Sequence, residues 1–133
     1  MALVLDTSFL VTHTFPPTRE DREKIREFVA RIRREKLLIP SIVVVEYIKV
    51  VGKRIGKERA SVRLRSWIDS GAKVVFLTEE LAFKAGELAL KNPNAPLADV
   101  IISVIVSAYN ARVISSDLHF NVLGIKTIWY KRS

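Results

Sequence analysis

Two aspartates follow short apolar runs near opposite ends of the chain. Asp6 comes directly after residues 2–5 (ALVL), and Asp117 follows residues 112–115 (RVIS). Both runs have the length and composition of buried strands. Because sites in parallel sheets form beyond the carboxyl ends of the strands, both acids are expected at that edge. Hydroxyl residues beside each acid suit an oxygen-ligand metal site, and the alternative is that each acid only forms a turn or helix cap.

Asp99 interrupts the longest apolar segment of the chain, residues 97–109 (LADVIISVIVSAY). The pattern predicts a helix over 97–110 with Asp99 in its first turn. An acid there complements the helix dipole by about 0.3–1 kcal/mol, which is one explanation for it. Burying an unpaired carboxylate among apolar side chains is costly, however, so the setting favours a role in a functional site.

Glu46 lies in the apolar segment IVVVEYIKVV of a helix predicted over 41–56. The predicted core stripe of this helix consists of Val44, Ile48, Val51 and Ile55. Glu46 lies beside that stripe. One interpretation is an exposed Glu46–Lys49 pair worth a few tenths of a kcal/mol, and the other is a half-buried functional acid.

Helices and strands alternate along the chain. Further helices are predicted over 18–36, over 57–70 and from 78 onward, further strands over 73–77 and 126–130, and a brief extended link over 37–40. The acids of helix 18–36, including Asp21, alternate with Lys and Arg and predict a solvated face. The alternation predicts an α/β domain with a mainly parallel central sheet, and 133 residues fit one domain.

The composition narrows the classes of function. The absence of cysteine excludes disulfides, thiolate zinc sites and cysteine nucleophiles, and it favours the cytoplasm as the location. A membrane span needs about 20 apolar residues, so the segment at 97–109 predicts a buried helix and no membrane association. A net charge of +8 suits an anionic partner, most commonly nucleic acid.

Four short segments, in this order, resemble the PIN-domain family of nucleases, and by length the VapC-like toxins of toxin–antitoxin pairs. They are LDTS at 5–8, VVEY at 44–47, LADVIISV at 97–104 and ISSDLHF at 114–120. The resemblance covers residues 1–133 as a single PIN-like domain. It implies a Rossmann-like three-layer sandwich, a metal-dependent endoribonuclease acting on RNA, and a possible antitoxin partner and homodimer.

The resemblance also implies roles for individual residues. It assigns Asp6, Glu46, Asp99 and Asp117 to an acidic catalytic site. It assigns Ser8 and Ser115 to supporting polar positions. Family members commonly hold threonine at the position of Ser115, which is a departure here. Phe120 matches a recurring aromatic residue with a structural role.

Carboxylate ligands favour Mg²⁺ or Mn²⁺. We expect Asp6 and Asp99 to bind the main ion and Asp117 to bind it directly or through water. Glu46 is expected to hold a metal-bound water, orient the nucleophile or complete a second site.

Basic residues on two predicted helices are candidate RNA contacts, since contacts with phosphates supply affinity but read little of the RNA sequence. They are Lys49, Lys53, Arg54, Arg59 and Arg63. A solvated helix face explains each of them equally well. The histidines, His13 and His119, are expected at the surface.

Three other functions compete with the nuclease interpretation. A phosphoaspartyl enzyme would also place an acid after the first strand, but Ser8 stands where the phosphatases of that class need a second Asp. A ribonuclease that uses a histidine pair would work without metal. A non-catalytic RNA-binding or protein-interaction module of the same fold would bind without cleaving.

Overall fold

A computed structural model describes residues 1–131 and contains one sheet of five parallel strands. The strands are β1 (Ala2–Leu5), β2 (Lys36–Pro40), β3 (Lys73–Val75), β4 (Arg112–Ile114) and β5 (Thr127–Ile128). Their order across the sheet is β3-β2-β1-β4-β5, and every neighbouring pair is parallel. The predicted α/β class with a mainly parallel sheet is confirmed.

Seven helices connect the strands within the described residues. They are α1 (Thr7–Thr14), α2 (Arg19–Ile32), α3 (Ser41–Ile55), α4 (Lys57–Asp69), α5 (Glu79–Lys91), α6 (Leu97–Ala108) and α7 (His119–Val122). The chain moves outward from β1 to β3, then returns past β1 to β4 and β5. Right-handed crossovers therefore place α1–α4 on one face of the sheet and α5–α7 on the other. None of the helices within residues 1–131 is long and apolar enough to cross a membrane.

The central strands are buried on both faces, as expected for a parallel sheet covered by two helical layers. Val4, Leu5, Ile39, Val113 and Ile114 have no exposed surface. Phe120 is also fully buried, as its predicted structural role requires. These side chains hold the carboxyl ends of β1 and β4 at fixed positions beneath the acids.

The prediction of a link over residues 37–40 was wrong, because these residues belong to strand β2 between β1 and β3. The predicted helix up to Lys36 was also too long, since α2 ends at Ile32. A strand buried on both faces shows no alternation of polar and apolar residues, and Pro40 suggested a break. Proline is tolerated here because it is the last residue of the strand.

Two short helices were not predicted. They are α1, which follows Asp6 directly, and α7, which follows Leu118. Several predicted elements were also too long: the strands over 73–77, 112–115 and 126–130 end at Val75, Ile114 and Ile128, and α6 ends at Ala108. Such differences of one to three residues arise where the end of an element has no strong stop signal.

The core stripe of α3 differs from the predicted one. Its buried residues are Val43, Tyr47 and Val51, whereas Val44 and Ile48 are only partly buried. Tyr47 can lie in the core because its hydroxyl pairs with the Thr14 hydroxyl at 2.8 Å. With Tyr47 in the core, the buried face of α3 is displaced by about one residue from the predicted stripe of aliphatic side chains.

Asp21 connects the start of α2 with the end of the described chain. Contrary to the predicted solvated face, it is buried, and its carboxylate accepts hydrogen bonds from the Thr18 and Tyr130 hydroxyls, both at 2.7 Å. Lys131 Nζ lies 3.2 Å from Asp21 Oδ1, the oxygen that accepts from Tyr130. The hydrogen bond from Thr18, followed by the one from Tyr130, lowers the pKa of Asp21 to about 2.

Replacing Tyr130 with phenylalanine should make the protein more sensitive to acid. Because the folded pKa of Asp21 is depressed, its stabilising contribution is present above about pH 4 and disappears as the pH falls towards 2. Tyr130→Phe removes one hydrogen bond to the carboxylate, so acid unfolding followed by circular dichroism should begin at a higher pH. Tyr109→Phe, on an exposed tyrosine, is the control, and equal midpoints for both variants would contradict this role.

Candidate active site

The four predicted acids lie at the carboxyl edge of the sheet, where the direction of the crossovers reverses between β1 and β4. Leu5 pairs with Ile114 in this register, and the backbone N–H of Asp6 donates to the Ile114 carbonyl at 3.2 Å. Asp6 therefore lies beside Ser115. Such a switch point leaves an open crevice above the sheet, which is the usual location of a site in this class of fold.

Asp6 is held by two serine hydroxyls. Ser115 Oγ donates to Asp6 Oδ2 at 2.6 Å, and Ser8 Oγ donates to the same oxygen at 3.0 Å. Burial raises the pKa of Asp6, and the two serine hydrogen bonds oppose that rise. The carboxylate is thus fixed in orientation by hydroxyls from α1 and from the end of β4.

The same serines position the loop that carries Asp117. Ser115 Oγ accepts a hydrogen bond from the Asp117 backbone N–H at 2.9 Å, and Ser8 Oγ accepts one from the Ser116 N–H at 3.2 Å. Ser8 and Ser115 therefore tie the start of α1 to the loop after β4. A serine hydroxyl at position 115 makes these contacts, so the departure from the threonine common in the family does not remove them.

Asp99 and Asp117 shift each other's pKa values in opposite directions. Asp99 is 7% exposed, and its Oδ2 is buried without a hydrogen-bond partner among the described residues. Burial, followed by the neighbouring Asp117, raises the pKa of Asp99 to about 8. Burial also acts to raise the pKa of Asp117, but hydrogen bonds from Asp99 and His119 outweigh it and lower that pKa. Without a cation, burial and the neighbouring charges therefore disfavour the state in which both acids are ionised.

His119 belongs to this cluster, although the sequence pattern placed it only at the surface. Its side chain is 58% exposed, yet Nδ1 lies 2.8 Å from Asp117 Oδ1 and 3.5 Å from Asp99 Oδ2. Its backbone N–H also donates to Asp117 Oδ1 at 2.9 Å. The Asp-x-His spacing at the start of a short helix was the signal available in the sequence. His13, also expected at the surface, is instead half-buried against Trp67.

Glu46 reaches the site from α3. The Thr7 hydroxyl donates to Glu46 Oε1 at 2.7 Å, and Thr7 is the residue after Asp6. The alternative Glu46–Lys49 pair is not found among the ion pairs of residues 1–131. Both Asp6 and Glu46 contribute to the raised pKa of Asp99, so the four acids share one electrostatic environment. Thr7 is a contact that sequence reasoning missed.

The cluster has the donors of a metal site. Asp99, Asp117 and His119 each offer one ligand atom, and these atoms lie within 4.8 Å of one another. A buried carboxylate oxygen without a hydrogen-bond donor is an unfavourable arrangement that a bound cation would relieve. The residues therefore fit a divalent ion, with Asp6 close enough to contribute to the same field.

The predicted RNA contacts lie on exposed parts of α3 and α4. Lys49, Lys53, Arg54 and Arg59 have exposed side chains on α3 and α4. The Arg54 guanidinium stacks over the Phe15 ring at 3.7 Å, which orients it along the surface. Arg63 is also exposed, but it lies beside His13 rather than beside the acids.

Comparisons with known proteins establish the family. The sequence model of the PIN domain matches residues 3–126, so the chain belongs to the PIN domain family. No curated protein sequence matches the chain significantly.

Solved structures of VapC-type toxins share the fold. The chain resembles VapBC2 from Rickettsia felis bound to promoter DNA, with 18% identity over 97% of this chain and 98% of that chain and a TM-score of 0.78. DNA-bound VapBC from Salmonella typhimurium gives 22% identity, 98% coverage of both chains and a TM-score of 0.76. VapC20 from Mycobacterium tuberculosis, a toxin that cleaves the sarcin-ricin loop, gives 13% identity, coverage of 93% and 96%, and a TM-score of 0.76.

Proposed function

We propose that this protein is a metal-dependent endoribonuclease and the toxin of a toxin–antitoxin pair. The observation that carries the proposal is the buried Oδ2 of Asp99, which has no hydrogen-bond donor among the described residues and faces Asp117 and His119. Because a buried acid oxygen without a hydrogen-bond partner is costly inside a protein, and a second acid lies beside it, its retention favours a role as a metal ligand. Membership of the PIN domain family supports the same conclusion.

The donor set suits Mg²⁺ or Mn²⁺. Asp99 and Asp117 would hold the ion, Asp6 would contribute directly or through water, and carboxylate oxygens are the ligands these ions prefer. When bound, such an ion supplies an activated water and stabilises the charge on the phosphoryl oxygens. The neighbouring His119 imidazole is in position to bind the ion or to orient Asp117.

The remaining residues position this chemistry. Ser8 and Ser115 hold Asp6 in one orientation, and Thr7 holds Glu46 where it can orient a water at the cluster. The protein must also release the proton shared by Asp99 and Asp117 before both can act as ligands. Exposed Lys49, Lys53 and other basic residues would attract the RNA backbone.

Incubation with single-stranded RNA tests the activity. We expect cleavage in Mn²⁺, none in EDTA, and none from Asp6→Asn prepared in the same way, which controls for contaminating ribonucleases. Cleavage should also fall steeply with added salt, because phosphate contacts release counterions. Activity that survives EDTA would refute the metal requirement, and binding without cleavage would identify a non-catalytic RNA-binding module.

The biological role is testable through a partner. Structures similar to this one are VapBC and FitAB complexes, which supports an antitoxin that binds this protein in the cytoplasm. We propose that the toxin is a homodimer in that complex. Growth arrest on expression of the toxin, relieved by co-expression of the protein encoded beside it, would support this role. Toxicity unchanged by Asp6→Asn would contradict it.

A further inference from the structure

A groove bounded by α1, α2 and α4 lies apart from the acidic cluster and is lined by four arginines. Arg22, Arg26 and Arg33 come from α2 and its C-cap, and Arg63 comes from α4. Two adjoining cavities, of about 390 and 290 Å³, share His13 and Arg33. We refer to this surface, with its four arginines and His13, as the arginine groove.

The positive charge of the arginine groove is almost uncompensated. Among the ion pairs of the described chain, only Arg26 of the groove contacts an acid, at 4.0 Å from Glu23 Oε2 between two exposed side chains. Arg63 and Arg33 also act on His13, where burial is the largest cause and the two arginines add to it in lowering the pKa to about 4. A concave surface with one sign of charge attracts counterions of the opposite sign.

The walls of the groove are closely packed. The His13 ring packs against Trp67 with a centroid separation of 5.1 Å and against Phe9 at 6.2 Å. Trp67 is buried, and Ile25 and Val29 of α2 complete the apolar floor. The arginines therefore project from fixed helices, which reduces the cost of ordering them around a ligand.

The spacing of the arginines matches a repeating anion. Arg22 and Arg26 are one helical turn apart, about 6 Å along α2, and Arg33 lies about 10 Å beyond Arg26. The first of these spacings is close to that of neighbouring phosphates in an extended single strand, and the second corresponds to phosphates that are not adjacent. Guanidinium groups bind phosphate oxygens through paired hydrogen bonds, so a row of arginines suits a phosphodiester backbone.

Helix α1 connects the groove to the acids. Asp6 precedes its first residue, and His13 lies in its last turn. Seven residues of helix correspond to about 10 Å. An RNA strand with a phosphate at the acidic cluster would therefore reach the arginine groove within a few nucleotides.

We propose that the arginine groove is an RNA-backbone binding site that holds the substrate a few nucleotides from the point of cleavage. The proposal rests on the endoribonuclease function proposed above. It extends the RNA-binding surface to Arg22, Arg26 and Arg33 on the far side of α1. An acidic peptide is the competing ligand, but repeated arginine forks on a protein of net charge +8 favour a polyphosphate chain.

A pair of double variants with the same change of charge tests the groove. Arg33→Ala/Arg63→Ala removes two arginines of the groove, and Arg34→Ala/Arg65→Ala removes exposed neighbours from the same two regions that lie outside it. Binding of a labelled single-stranded RNA is measured in EDTA by fluorescence anisotropy over a range of salt. We expect the first variant to bind about tenfold more weakly, and its salt dependence to be shallower by roughly 0.7 for each phosphate that is no longer bound. The second variant should bind like the parent protein.

The His13 ring provides a readout that is independent of RNA affinity. In NMR titrations of the parent protein in EDTA, the RNA should raise the pKa of His13 and shift its ring signals, and inorganic phosphate should do so more weakly. Signals are assigned with a His119→Gln variant. A glutamate-rich peptide that shifts His13 where RNA does not would overturn the proposal in favour of a peptide site.

The outcomes separate this proposal from the proposed function. Equal RNA binding by the two double variants, or a His13 signal unmoved by RNA, would overturn the groove while leaving metal-dependent cleavage intact. Normal binding through the groove without cleavage in Mn²⁺ would refute the nuclease activity instead. A shift of His13 by free phosphate alone, without one by RNA, would also count against an RNA site.

Discussion

Asp99→Asn should abolish metal-dependent RNA cleavage and, at the same time, stabilise the metal-free protein. Removing a carboxylate from the cluster should reduce cleavage at least ~100-fold, because the remaining acids cannot replace a buried ligand at this position. The gain in stability arises because asparagine carries no charge where Asp99 lies buried beside Asp117, Asp6 and Glu46. Relief of this repulsion and desolvation should add about 1–2 kcal/mol to the free energy of unfolding at pH 8.

Two measurements check this result. Cleavage of single-stranded RNA in Mn²⁺ reports the activity, and thermal unfolding in EDTA at pH 8 reports the stability. Asp69→Asn, on the exposed part of α4, is the matched control and should change neither quantity. Asp99→Asn that still cleaves RNA at the parental rate would remove Asp99 from the site, and a variant less stable than the parent would indicate a structural carboxylate.

The affinity for Mn²⁺ should fall about tenfold for each pH unit below pH 8, because the ion must displace the proton that Asp99 holds. The preference of Asp99 for its protonated form also makes the metal-free protein less stable as the pH rises. Since the folded pKa of Asp99 lies above its usual value of 3.8, its favourable contribution is complete below about pH 4 and disappears as the pH rises to about 8. Mn²⁺ should therefore stabilise the protein most strongly at alkaline pH.

Calorimetric titration with Mn²⁺ in two buffers of different ionisation enthalpy measures this linkage directly. At neutral pH the parent protein should release about one proton for each ion bound, and Asp99→Asn should release none. The measured affinities at about pH 6 and about pH 8 should differ by roughly 50-fold, because Asp99 is half ionised at pH 8. Equal affinities at these two values would mean that Asp99 is already ionised in the metal-free protein.

The sequence contained enough information to locate three of the acids by physical reasoning. Asp6 and Asp117 follow strands that do form, and the register of β1 with β4 brings their ends together. Asp99 was identifiable because it interrupts an apolar helix, and the structure buries it. Glu46 rested mainly on family resemblance, since its partner Thr7 lies 39 positions away and no local pattern indicates that contact.

The remaining features could not be predicted because they depend on tertiary contacts. Strand β2 lacks alternation because both of its faces are covered, and only the completed sheet shows that it is a strand. His119 appears exposed by any local criterion, and its proximity to Asp99 arises from the packing of α6 beside α7. The arginine groove likewise combines α2 with α4, which are distant in sequence.

The hydrogen bond between Ser115 and Asp6 joins residues 109 positions apart, and this has a consequence for synthesis of the protein. A growing chain makes β1 first, and β4 and the loop with Asp117 follow only after the long segment that separates Asp6 from Ser115. Until then the edge of β1 that pairs with β4 remains open, and pairing over such a long separation is slow. The acidic cluster of a nascent chain is therefore not assembled until β4 has been made and has paired with β1.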